Sequence, residues 1–298
     1  MRTDGDTWDI VSSVGLTALG VAAFRALESA KPDGLIRDDC ARLFVEAAGE
    51  SRFVDLLDAP PQDNGMPTGA MIGLRTKFFD DFFTAAWSAG IRQAVIVAAG
   101  LDARSYRLDW PVGTKVFEID QPKVLEFKQQ VLAAQNIAPR AVLHAVAVDL
   151  REDWPAALSA AGFDADRPTA WSAEGLLPYL PGEAQDALFE RIDTLSAPGS
   201  RLSVEGFSRR PDPARMSDME ARMFKDNKHQ NPFGDLDVTE LFYDDERSDP
   251  TQWLTDRGWE VGAASLDDLA KRYGLPGYDV PEEMAEMRDL SVYLSASK

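Results

Sequence analysis

The chain is predicted to be an α/β domain built on a parallel sheet, and three observations lead there. Short apolar, β-branched runs alternate with segments of helical spacing, the pattern of strand–helix–strand crossovers. One such run, Ala94 to Ala98, is broken by Ala99-Gly100-Leu101-Asp102. A second, Val116 to Ile119, ends in Asp120, twenty residues after Gly100. In open α/β sheets, ligands bind beyond the C-terminal ends of the strands. An acid about twenty residues after a glycine turn can accept hydrogen bonds from two ribose hydroxyls. The stretch from Ala94 to Asp120 therefore predicts a nucleoside-binding site.

A dinucleotide fingerprint asks for G-x-G-x-x-G, but here Gly100 stands with Ala98, Ala99 and Ala103. One glycine suffices where the backbone passes close to a ribose or a short amino-acid tail. A pyrophosphate on a helix N-terminus usually needs more. Gly100 as an ordinary turn residue and Asp120 as a solvated strand end are the bland alternatives, and the spacing between them weighs against both.

The remaining elements follow in order. Residues 1–11 are expected to be mobile, and Ser12 or Ser13 to cap a helix reaching Ala30, with Leu16, Leu19, Ala23, Phe24 and Leu27 on one face. Lys31-Pro32-Asp33-Gly34 ends it. A helix from Asp38 to Ala48 buries Cys40, Leu43 and Phe44, which makes Cys40 a small core residue. A loop rich in Pro, Asp and Gly spans 58–69. The helix from Ala70 to Ala89 carries Phe78, Phe79, Phe82, Phe83 and Trp87 at core-facing spacing. Arg75 and Lys77 on its N-terminal side are either a solvated cationic edge or a partner for a ligand carboxylate.

After Asp120 come a helix from Pro122 to Asn136 and a strand from Ala141 to Val148 that ends in Asp149-Leu150. Asp149 can accept from a purine amine while Leu150 packs on the ring; alternatively Asp149 caps the next helix. His144, in mid-strand, reads as structural. A helix from Pro155 to Ala161 precedes a strand from Thr169 to Ala173 that ends in Glu174, and Tyr179 lies just past it. A helix, Glu183 to Leu195, and a strand, Arg201 to Phe207, follow. Residues 208–249 break the rhythm, and Met216, Met219, Met223 and Phe224 suggest a helical lid over the strand tips; a mobile surface excursion is the alternative. The helix 250–258, strand 259–265, helix 266–273 and strand 290–295 close the chain. The expected division is a single domain: an N-terminal helical cap over 12–89, a cofactor-binding core over 94–207, the lid over 208–249, and the rest of the sheet over 250–298.

Composition narrows the partners. The 298 residues carry a formal net charge of -19, which repels phosphate backbones and anionic lipid, so neither nucleic acid nor a membrane surface is an expected partner. A single cysteine excludes an intramolecular disulfide, and with two histidines no metal site is expected. No signal peptide and no run of 18 apolar residues is evident, so a cytoplasmic location is the default. No oligomeric state is read from the sequence.

Asp120, Asp149 and Glu174 thus stand at successive strand ends, all acceptors and none beside a conspicuous general base. That set suits a nucleoside with a positively charged amino-acid tail, the shape of S-adenosyl-L-methionine. The motifs RTKFFDDFF, VAAGLDARSYRL, VFEIDQPKVLEFK, AVAVDLREDW and AEGLLPYLP carry a resemblance in order and spacing. Over residues 8–298 the chain resembles the leucine carboxyl methyltransferase-like family, in its bacterial branch of S-adenosyl-L-methionine-dependent methyltransferases.

That resemblance implies a class I methyltransferase fold: a Rossmann-like seven-stranded sheet with its last strand antiparallel, N-terminal helices and a helical lid. It also implies that Arg75 meets the methionine carboxylate, Gly100 lets the chain approach the cofactor, and Asp120 holds the ribose. Asp149 and Leu150 would frame the adenine, and Glu174 would lie near the methionine tail. Ala99 stands where the wider class often has glycine. The expected activity is O-methyl transfer to a small-molecule carboxylate or acidic hydroxyl, because a carboxylate needs no base to attack. Tyr179 is a candidate for orienting the acceptor or for packing under the lid. The competing expectations are a nicotinamide-dependent oxidoreductase, against which the sparse glycines and the lack of a Tyr-x-x-x-Lys pair argue, and a noncatalytic nucleoside-binding protein.

Overall fold

Five strands lie in parallel because each is joined to the next in sequence by a helical crossover. In this computed structural model, residues 14–58, 68–207, 233, 238–275 and 291–298 are described. The strands are β1 (Gln93–Val97), β2 (Lys115–Asp120), β3 (Val142–Ala147), β4 (Ala170–Ala173), β5 (Arg201–Phe207), β6 (Glu260–Ser265) and β7 (Ser291–Ser297), in the sheet order β3-β2-β1-β4-β5-β7-β6. β3, β2, β1, β4 and β5 pair in parallel. β7 runs against β5: Lys298 pairs with Gly199 and Ser200, while Ser203 reaches back to the carbonyl of Leu294. This is the seven-stranded, Rossmann-like sheet that the resemblance implies, with the late strand reversed.

Contacts divide the described residues into two units, one within 1–77, 207–244 and 264–292, the other within 78–206, 245–263 and 293–298. In the first, α1 (Val14–Ala30) packs on α2 (Asp39–Ala48) and on α3 (Ser51–Asp58). Asp38 caps α2 by accepting from the amides of Cys40 and Ala41, and its other oxygen takes the guanidinium of Arg25 at 2.9 Å. Cys40 is buried in this helical layer, as a small core residue would be.

The second unit holds the sheet's parallel core. Phe82, Phe83 and Ala86 of α4 (Thr68–Ser88) pack with Ala94 and Ile96 of β1, Val116 of β2 and Trp110. α5 (Arg104–Arg107) is one turn after β1. α6 (Pro122–Ala134), α7 (Trp154–Ala160), α8 (Gly182–Thr194) and α9 (Pro250–Thr255) complete its helices; α10 (Leu266–Arg272) falls in the first unit. His144 stacks on Phe117 of the neighbouring strand, ring centroids 4.6 Å apart, and burial lowers its pKa. It is a neutral structural side chain. No described helix is long and apolar enough to cross a membrane. Residues 1–13 and the lid positions Met216, Met219, Met223 and Phe224 lie outside the described residues.

Candidate functional site

Strand register gathers the acids. Val97 of β1 stands opposite Ile119 of β2 and Ala173 of β4, and Ile119 opposite Val146 of β3. One residue further, the next row is Ala147, Asp120, Ala98 and Glu174. Asp120 and Glu174 therefore flank β1, two strand spacings or about 10 Å apart along the row. Asp149 follows two residues after Ala147 on the β3 side.

The turn between them is stapled to β2. The amide of Ala99 donates to the carbonyl of Ile119 at 3.0 Å, and that of Asp102 to the carbonyl of Ala99 at 2.8 Å. The amide of Gly100 donates to Asp120 Oδ2 at 2.6 Å. Two turn residues are left-handed, Ala98 at φ +52° and Gly100 at φ +48°. Glycine adopts that conformation freely, whereas for alanine it costs about 1–2 kcal/mol. The alanine standing where glycine would be easier is thus Ala98. Asp102 Oδ1 then accepts the amide of Arg104 at 2.6 Å and starts α5.

Asp120 is short of strong donors. Its second oxygen takes the amide of Gln121 at 2.7 Å. Burial pushes its carboxyl above the usual carboxylate range, although the two amides and the charge of Lys128 act in the opposite sense. An ionised carboxylate offers roughly four acceptor positions, so hydroxyl donors can still be added beside the two amides. A ribose diol has that chemistry.

Asp149 is engaged on both oxygens. Arg151 donates from Nε to Oδ1 at 2.9 Å and from Nη2 to Oδ2 at 2.7 Å, and Gln121 Nε2 donates to Oδ2 at 3.1 Å. Asp153, not Asp149, caps α7, so the capping alternative for Asp149 falls away. Leu150 is half-buried beside it.

Glu174 sits in a buried ionic cluster that no local sequence pattern announces. Arg104 Nη1 donates to Glu174 Oε2 at 2.7 Å and also to Asp102, while its Nε donates to Asp80 Oδ1 at 2.7 Å. Arg107 grips Asp80 with two nitrogens, at 2.7 and 2.6 Å. Burial works against the charge of Arg104, but Asp102, Glu174 and Asp80 together hold its pKa well above the usual value. Burial likewise opposes the charge on Asp102, yet Arg104 and Lys128 bring its carboxyl below the usual range.

Beneath the turn lies a second buried pair. Lys128 of α6 meets Glu118 of β2 at 2.7 Å, with both side chains essentially inaccessible. Its sequence signal was present. A glutamate in mid-strand demands a partner, and Lys128 shares the inward spacing of Val124, Leu125 and Leu132 on α6.

Tyr179 ends a 3₁₀ turn, Leu177–Tyr179, and is half-buried. Residues 245–248 hold that turn. Arg247 donates to the carbonyls of Leu177 and Leu180 at 2.9 and 3.1 Å, and Asp245 accepts the amide of Gly182 at 2.6 Å. A Cβ on Gly182 would lie 2.2 Å from the carbonyl oxygen of Glu246. Arg75 belongs to the other unit, on the N-terminal part of α4. Its neighbour Lys77 lies over the ring of Tyr273, 5.3 Å from the centroid. The structure thus links Gly100, Asp120 and Asp149 through shared hydrogen bonds, and joins Glu174 to the same turn through Arg104 and Asp102.

The family model described as leucine carboxyl methyltransferase matches residues 18–193. A Rhodococcus jostii protein, provisionally named an S-adenosyl-L-methionine-dependent methyltransferase, is 59% identical over 298 residues and is matched over 100% of both chains. A Mycobacteroides abscessus protein of the same provisional name is 52% identical, over 99% of this chain and 96% of its own. One from Mycolicibacterium paratuberculosis is 47% identical over 100% and 98%. By the family model and these relatives, the chain belongs to the leucine carboxyl methyltransferase family and is an S-adenosyl-L-methionine-dependent methyltransferase.

Proposed function

We propose that this enzyme is an O-methyltransferase for a small-molecule acceptor bearing a carboxylate or an acidic hydroxyl. The observation that carries the reading is the single row at the strand ends, with Asp120 on one side of β1 and Glu174 on the other. Asp120 accepts the two ribose hydroxyls, which add to the two amide donors its half-buried carboxylate already has. Gly100 keeps the turn low beside them. Asp149 accepts from the adenine amine and Leu150 packs on the ring. Glu174 faces the ammonium of the methionine tail. Bound S-adenosyl-L-methionine supplies a methyl group on a sulfonium, transferred by in-line displacement.

Displacement at a sulfonium expels a neutral thioether, so the protein contributes mainly proximity and alignment. An acceptor carboxylate arrives already charged and needs no proton removed. That agrees with a site made of acceptors and of arginines, with His144 stacked into the sheet as a neutral ring. Tyr179, on a turn that Arg247 fixes by two carbonyls, orients the acceptor with its phenol. The oxidoreductase alternative has no support from the family to which the chain belongs.

The test is an assay of S-adenosylhomocysteine release across a panel of small carboxylic acids, phenols and amines. Turnover confined to acids and acidic hydroxyls is expected. Turnover confined to amines, or cofactor binding with no turnover on any oxygen acceptor, overturns the assignment.

A further inference from the structure

The Lys128–Glu118 pair touches neither strand end, yet both groups spend their remaining hydrogen bonds on one short segment, the end of the turn after β1 and the start of α5. Lys128 Nζ donates to the carbonyl of Asp102 at 3.0 Å. Glu118 Oε1 accepts the hydroxyl of Ser105 at 2.7 Å, while its Oε2 takes the ammonium at 2.7 Å. The relative exposure of the two charged side chains is 0% and 1%. Asp102 and Ser105 bracket the end of the turn whose Gly100 amide is bonded to Asp120. The turn also contains Ala98, held in a conformation that alanine adopts at a cost.

A buried ion pair is a poor source of stability. Apolar residues of similar volume usually fill such a place as well or better. Its geometry, with both free ends aimed at the same segment, calls for another explanation.

We infer that Lys128 and Glu118 are positioning residues for the cofactor: a buried pair that holds the turn and the start of α5, residues 99–105, from beneath in the geometry that places the Gly100 amide and Asp120 for the ribose. This rests on the methyl-donor reading of that segment. The pair acts through the segment and not on the ligand. Holding the segment before the cofactor arrives reduces the ordering cost of binding.

The experiment replaces the pair with apolar residues, Glu118→Leu with Lys128→Met, in the full chain. Melting temperature, affinity for S-adenosylhomocysteine by calorimetry, and ligand-free hydrogen exchange of the 99–105 amides are measured. The double variant is expected to melt within about 5 °C of the wild type. It is expected to bind about tenfold more weakly. Exchange should accelerate at 99–105 and not in β1. Wild-type affinity together with wild-type exchange in the folded variant overturns the inference. Should the double variant not fold, Ser105→Ala removes one grip and leaves the ion pair intact. Faster exchange at 99–105 with weaker binding then supports the tether, and no change in either overturns it. Wild-type protein that binds no S-adenosylhomocysteine overturns the methyl-donor reading instead, and the exchange rates still decide whether the pair holds the segment.

Discussion

Asp120 and Glu174 leave the sheet in the same row on either side of β1, yet their surroundings differ in kind. Around Asp120 the donors are two backbone amides, and burial dominates, raising its carboxyl pKa. Around Glu174 there is a guanidinium, Arg104, shared with Asp80 and Asp102. One carboxylate is poor in charge-assisted partners and gains from neutral hydroxyls. The other belongs to a lattice of full charges, where a further cation is at home. A ligand with a diol at one end and an ionic tail at the other is complementary to that difference, and the sheet presents both ends in fixed register.

The largest effect should come from breaking the ionic side. Arg104→Met leaves Asp80, Asp102 and Glu174 around an apolar side chain. The expected loss is about 3–5 kcal/mol of unfolding free energy, measured by urea denaturation. A loss below about 1 kcal/mol would mean that the cluster is far wetter than its burial implies.

On the other side of β1 the effect should appear in binding. Asp120→Ala is expected to weaken S-adenosyl-L-methionine binding by about 1–3 kcal/mol, read by calorimetry. Asp120→Asn should lose affinity too, while changing stability by less than about 1 kcal/mol, because relief of a buried charge offsets a weaker bond to Gly100. Equal affinity in a folded variant would remove Asp120 from the site.

The two sides should also respond oppositely to pH. Asp102 has a lowered folded pKa, so its stabilisation is present above the unfolded value of 3.8 and is lost as pH falls through the folded value. Asp120 has a raised folded pKa. Its protonated form favours the native state below 3.8, and that contribution is lost as pH rises through the folded value. The stability of Asp120→Asn relative to wild type should therefore rise with pH above 3.8. That of Asp102→Asn relative to wild type should fall with pH over the window below 3.8. Denaturation at a series of pH values checks both, and slopes of the same sign would contradict the contrast.

The smallest effect is at the turn itself. Ala98→Gly relieves a left-handed alanine but adds freedom to the unfolded chain, for a net stabilisation of up to about 1 kcal/mol. A destabilisation in thermal melting would show that the Ala98 side chain makes contacts worth more than the strain.

Much of this was legible because the signals were local. The strands of the parallel core carry short apolar runs, and β5 was read to the residue, Arg201 to Phe207. Asp120, Asp149 and Glu174 were singled out because each ends such a run. α3 was passed over: it is eight residues long with Phe53 and Leu57 as its buried side chains, a single i,i+4 pair between Gly49 and a proline-rich stretch. The Arg104 cluster escaped for a different reason. Asp80, Arg104 and Glu174 come from three elements separated by 24 and 70 residues, and no periodicity links a charge on a helix to one beyond a distant strand. Lys128 and Glu118 were more accessible, since a charge within an apolar pattern on a strand and another on a helix's inward stripe imply each other.

The most direct measurement is a crystal structure of the protein with S-adenosylhomocysteine. The ribose hydroxyls should lie within hydrogen-bonding distance of the Asp120 carboxylate, the adenine beside Asp149 and Leu150, and the ammonium on the Glu174 side of β1. A ligand bound with its ribose away from Asp120, or with its amino-acid tail on the β3 side of the row, would contradict the division of the strand ends described above.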